Sequence, residues 1–211
     1  MLIKPHPFLS AVLQLFFLSA CAPGTIVVPT TAPDPSVVTP DEFYLPPLTE
    51  QCEIWEETQQ ELHAEFLRLR DPDEQNGILE MQEEEALSAV TSSSDFVMLM
   101  DVRYWVVEGH SDFINDLIPF LTDQTVTGLT NSADVIIFER IGSGNLGFYG
   151  HGWVVQDDLF QVAGRASWIL SETTGMWFGS VSMTSTPDDL LALQDRWAVW
   201  SSQFDCATAG E

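Results

Sequence analysis

The sequence predicts an α+β fold: N-terminal helices, a four-stranded antiparallel β-meander and a C-terminal helix packed on the sheet. Three observations carry this prediction. Apolar residues recur at three- and four-residue steps between Thr49 and Leu69, as on one face of a helix. From Ala133 the apolar pattern changes to period two between turn-forming dividers. Finally, Thr186-Pro187-Asp188-Asp189 opens a stripe of Leu190, Leu193, Trp197, Trp200 and Phe204.

In chain order, Lys4 and His6 precede an apolar run from Phe8 to Leu18, followed by Ser19, Ala20 and Cys21. A helix over that run spans roughly 17 Å, about half of a bilayer's hydrocarbon core, which suits a signal peptide and not a membrane span. The segment Leu18-Ser19-Ala20-Cys21 resembles the lipobox of bacterial lipoproteins. That resemblance implies cleavage before Cys21, acylation of its thiol and new amino terminus, and an address in the cell envelope. Ala22 resembles the residue that follows the cysteine in members sorted to the outer membrane, so the expected location is the outer membrane facing the periplasm.

Residues 1–20 are thus the expected signal peptide, and 21–48 the lipidated cysteine with a tether. Seven prolines between Ala22 and Leu48 and no helical period mark an extended spacer. At about 3.1 Å per residue it reaches up to roughly 80 Å.

A single acidic α+β domain is expected over 49–211. Thr49 is placed to cap the first helix, whose stripe is Cys52, Trp55, Leu62, Phe66 and Leu69. Asp71-Pro72 closes that helix and opens a second, with Asp71 as cap and Glu74 completing it, running to about Val90. The run from Asp95 to His110 is almost continuously apolar, which leaves strand and buried helix both open. Residues 112–122 read as helical, with Ser111 as cap and Pro119 as a distortion. The meander follows as 133–141, 146–156, 159–170 and 175–184, divided by GSGN, DD and SETT. In its third strand Phe160, Val162, Ala166, Trp168 and Leu170 share one face, and Gln161, Arg165 and Ser167 the other.

Charge narrows the function. The chain carries 32 acidic and 7 basic residues, a net charge of −25, and Lys4 is its sole lysine. Such a surface repels phosphate backbones, so nucleic-acid binding through a basic patch is excluded, and cationic partners are favoured. With Cys21 acylated, Cys52 and Cys206 remain as an even pair in an oxidising compartment, and a disulfide between them is expected. Two separate buried thiols are the alternative.

Candidate sites are few. GSGNLG at 142–147 fits the dinucleotide fingerprint by letter, but a strand reads on after it where that motif needs a helix, so a hairpin turn is expected and no cofactor. The stretch 71–83 partly resembles a calcium-binding EF-hand loop, with Asp71, Asp73, Asn76 and Glu83 as possible ligands; ordinary helix capping explains the same acids. VVEGHSD at 106–112 resembles the GHTD segment of peptidoglycan-binding domains of the outer-membrane protein A type, which implies a wall-binding role for Asp112 beside His110. The family's downstream arginine is missing. His151 between Gly150 and Gly152, Trp153 and Trp177 are possible ligand-binding residues, because nearby glycines allow close approach. No GxSxG elbow and no HExxH helix occurs. The expected function is therefore a lipid-anchored binding or assembly module with an envelope protein as partner. The alternatives are a peptidoglycan binder and an envelope hydrolase using His151 or the His110-Ser111-Asp112 cluster.

Overall fold

Helices dominate the architecture, and the only sheet among the described residues has two short parallel strands. The computed structural model describes residues 43–144 and 152–206. All of them belong to one compact unit, residues 42–211.

Helix α1, Leu48–Leu69, starts one residue before the expected cap. Pro47 occupies the N-cap with extended backbone, and Thr49 lies inside the first turn without capping. Gln51 supplies the local anchor by donating from Nε2 to the Pro46 carbonyl at 2.6 Å. Leu62 and Phe66 are buried, and the helix stops at Arg70, whose backbone is extended, as is that of Asp71, which Pro72 after it keeps out of the helical region.

Helix α2, Pro72–Leu79, has the expected capping box, with Asp71 accepting from the Asp73 and Glu74 amides. It does not run to Val90. Gln82 and Glu85 form a second capping box that opens helix α3, Glu83–Thr91, so the chain turns at residues 80–82. The apolar run after Asp95 is helix α4, Phe96–Val107, with Asp95 capping through Val97 N. Its 12-residue length, too long for an ordinary strand, goes with the helical one of the two open readings. Helix α5, Phe113–Leu117, is capped by Asp112 backbone and not by Ser111, and Pro119 tightens the continuation into a 3-10 turn, Ile118–Thr122.

The expected meander is not formed. Strand β1, Val135–Ile137, pairs in parallel with β2, Trp153–Val155, in the register Val135 to Trp153. Helix α6, Phe138–Gly142, follows β1 directly, so the connection is not a hairpin. The supposed third strand is helix α7, Val162–Thr174, and the supposed fourth, 175–184, has no regular secondary structure.

The reason for the misreading is burial. Every residue of α7 from Val162 to Leu170 is buried, Arg165 and Ser167 included, so the helix has no polar face to impose a 3.6 period. Its ends are marked chemically instead. Gly164 faces the Asp158 carbonyl so closely that an added Cβ would stand 2.1 Å from it. Gly175 ends the helix in left-handed backbone at φ 71°, while Thr173 and Thr174 return their hydroxyls to the carbonyls of Ile169 and Leu170.

Helix α8, Pro187–Gln203, has the expected Thr186–Asp189 capping box and buries Leu190, Leu193, Trp197 and Trp200. It packs on the 3-10 turn and on Phe178, whose ring lies 4.6 Å from Trp197, and not on a sheet. Cys206 follows it at disulfide distance from Cys52, with Cα atoms 5.6 Å apart, and Trp55, Phe204 and Trp200 stack beside the bridge.

Candidate functional site

Two acidic, aromatic clefts open on the surface, and both draw on α4. The first takes shape where α4 ends. Gly109, in positive-φ backbone at 119°, turns the chain so that His110 folds back over the helix. Its imidazole stacks on Trp105 with centroids 4.0 Å apart and planes 12° apart, and Nδ1 lies 2.9 Å from the Trp105 carbonyl. A carbonyl can only accept, so Nδ1 carries the proton in the neutral ring. Nε2 is left as a base without a partner among the described residues. His110, Asp112, Asp116 and Glu83 line one groove of about 400 Å³ with Trp105 and Met81 as apolar wall.

The second cleft is built on Arg103, which is 1 % exposed on α4. Its guanidinium lies between two indoles, 4.5 Å from the Trp153 centroid and 5.0 Å from that of Trp168. Nη1 donates to Glu172 on α7 at 2.7 Å and Nη2 to Glu65 on α1 at 3.2 Å. Tyr104 donates its hydroxyl to the same Glu65 oxygen at 2.6 Å; burial, then that bond, pushes the phenol well above its ordinary range. Arg103, the two glutamates and the two indoles, with Val154 and Val155 of β2, line a cleft of about 310 Å³. Three helices and a strand thus converge there: α1 and α7 supply the carboxylates, α4 the guanidinium and β2 one of the indoles.

Other buried charges are structural. Arg165 is fully buried and donates to the carbonyls of Leu159, Val90, Ser93 and Gly128, with no carboxylate at all. Burial pulls its guanidinium down to about 10, still charged at neutral pH. Asp158, also fully buried, receives Arg140 through two bonds of 2.9 and 2.7 Å. Next to it, Asp157 accepts from Val181 N at 2.8 Å, and burial pushes its carboxyl up to about 7.

Of the residues singled out by sequence, His110 and Asp112 meet in the first cleft and Trp153 forms a wall of the second. Trp177 stands 63 % exposed on the segment after α7. His151 and Cys21 lie outside the described residues, as does most of GSGNLG. The carboxylate of Asp71 is committed to the α2 cap, and a helix and a turn separate Asp73 and Asn76 from Glu83. Among the described residues no three His, Cys, Asp or Glu side chains form a group able to hold a metal ion. Sequence reasoning missed Arg103, Glu65 and Glu172. The readable signal was a lone arginine inside the apolar run of α4, which a buried helix tolerates only when paired.

No family model, no curated protein and no solved structure matches the chain.

Proposed function

We propose that this chain is a lipid-anchored binding or assembly module of the cell envelope, held through acyl chains on Cys21 and facing the periplasm from the outer membrane. The anchor rests on the lipobox-like Leu18-Ser19-Ala20-Cys21 and the proline-rich spacer behind it. The observation that carries the binding half is the first cleft, where His110, Asp112, Asp116 and Glu83 surround an apolar wall of Trp105. Such a groove suits a cationic partner surface with an apolar residue at its centre. Binding is favoured over catalysis because His110 spends Nδ1 on a backbone carbonyl, where a triad would need an orienting carboxylate.

Membrane fractionation tests the anchor: Cys21→Ser should move the protein from the membrane to the soluble fraction. Crosslinking in cells tests the binding half, and an Asp116→Lys variant should lose the captured partner. Wild-type protein that crosslinks to nothing in the envelope would remove this reading.

A second reading is favoured by one specific observation, that Asp112 and His110 line the same groove. A cell-wall ligand carrying an ammonium would meet the Asp112 carboxylate there. This reading requires co-sedimentation with purified peptidoglycan that Asp112→Ala abolishes; equal sedimentation of the variant contradicts it.

A further inference from the structure

Between α7 and α8 the chain crosses the core as a strap. Residues 176–184, MWFGSVSMT, carry no ionisable side chain. Met176, Phe178 and Val181 are buried, and Phe178 packs its ring 4.6 Å from Trp197 of α8 and 5.1 Å from Phe43, in the stretch that leads into α1. Regular secondary structure does not hold the strap, so its fixings are individual bonds.

Val181 is the catch. Its amide donates to Asp157 Oδ1 at 2.8 Å, and its carbonyl accepts from the Asp158 amide at 2.8 Å. Arg196 of α8 adds a second hold by donating to the Phe178 carbonyl at 2.9 Å. The two aspartates of the catch are adjacent and buried, but one cation serves them: Arg140 of α6 gives both its bonds to Asp158. On α7, Glu172 faces Asp157 with like charge, and Arg165 spends its donors on backbone carbonyls. Asp157 therefore has no ion-pair partner among the described residues. A buried carboxylate without a cation is unfavourable when ionised, so ionisation favours any state in which water reaches it.

We propose that residues 176–184 form a pH-gated strap: acid keeps it latched on Asp157, and towards neutral pH it lifts locally from the core, uncovering Phe178, Trp197 and Phe43. The strap itself contains nothing that titrates, and its other holder, Arg196, keeps its charge throughout, so Asp157 alone sets the dependence. This device goes beyond reading the chain as a binder, and it needs neither the anchor nor either cleft.

Hydrogen exchange of the full chain in detergent, read by mass spectrometry from pH 5 to pH 8 and corrected for the intrinsic exchange rate, tests it. Burial raises the Asp157 pKa from 3.8 to about 7, so the latched state is favoured in acid and loses that advantage as pH climbs to 7, with little further change above. Peptides covering 176–184 should lose at least roughly tenfold in protection between pH 5 and pH 7, and about twofold at most from pH 7 to pH 8, while peptides from α7 and α8 keep theirs. Asp157→Asn, which keeps an acceptor but cannot ionise, should hold the strap at its pH 5 protection throughout. A flat wild-type profile, an equal loss of protection in α7 and α8, or wild-type pH dependence in Asp157→Asn would overturn the proposal.

Discussion

Arg103 and Arg165 are both buried arginines, at 1 % and 0 % exposure, but they are satisfied in opposite ways. Arg165 is caged by neutral carbonyls from α3, the loop after it, Gly128 and Leu159. Arg103 is held by two carboxylates that also see solvent. A carbonyl cage uses backbone atoms that have no other task, so it joins segments and faces inward. A carboxylate pair also has oxygens to spare, and its members stay partly in solvent. Asp157 shows a third solution: burial, with Glu172 and Asp158 adding like charge, pushes its carboxyl up to about 7, so it gives up its charge more readily than a solvated carboxylate.

The comparison predicts unequal costs. Arg165→Met should be the most damaging change, because several buried carbonyls lose their donor at once. A loss of roughly 3–5 kcal/mol is expected, read as a fall of about 10–15 °C in melting temperature. Arg103→Met should cost less, about 1–3 kcal/mol, since Glu65 and Glu172 can turn to water. Equal losses for the two variants would break the distinction.

Asp157 sharpens it through pH. Its folded-state pKa of about 7 lies above the ordinary 3.8, so the folded protein holds the proton more tightly than the unfolded chain. Stability from this group is fully present below about pH 4 and is lost as pH rises through 7, by an amount on the order of 4 kcal/mol at most. Asp157→Asn should flatten that dependence and raise the melting temperature at pH 8; an unchanged pH profile would refute the assignment. The smallest effect belongs to Glu172→Gln, within about 1 kcal/mol of wild type by thermal melt, because the removed charge is partly solvated.

Legibility in the sequence followed the same division. Elements with a wet face or a chemical cap could be read: α1 by its stripe, α2 and α8 by Asp71-Pro72 and Thr186-Pro187. Helix α7 could not, because burial of every residue from Val162 to Leu170 removed the polar face there, and those residues alternate in polarity by coincidence. Its stop signal was nonetheless present in Thr173-Thr174-Gly175. The first cleft was partly readable because His110 and Asp112 are neighbours in sequence. The second was not, since Glu65, Arg103, Trp153 and Glu172 come from four elements and share no spacing.

The bridge between Cys52 and Cys206 bears on how the domain carries load. The start of α1 and the end of α8 meet at one pole, because Cys52 lies just inside α1 and Cys206 just beyond α8. A pull applied between the residues before Cys52 and those after Cys206 therefore runs through a single covalent link. The helices and both clefts between these cysteines hang beside the line of force, so a load applied across this link leaves both clefts unstretched.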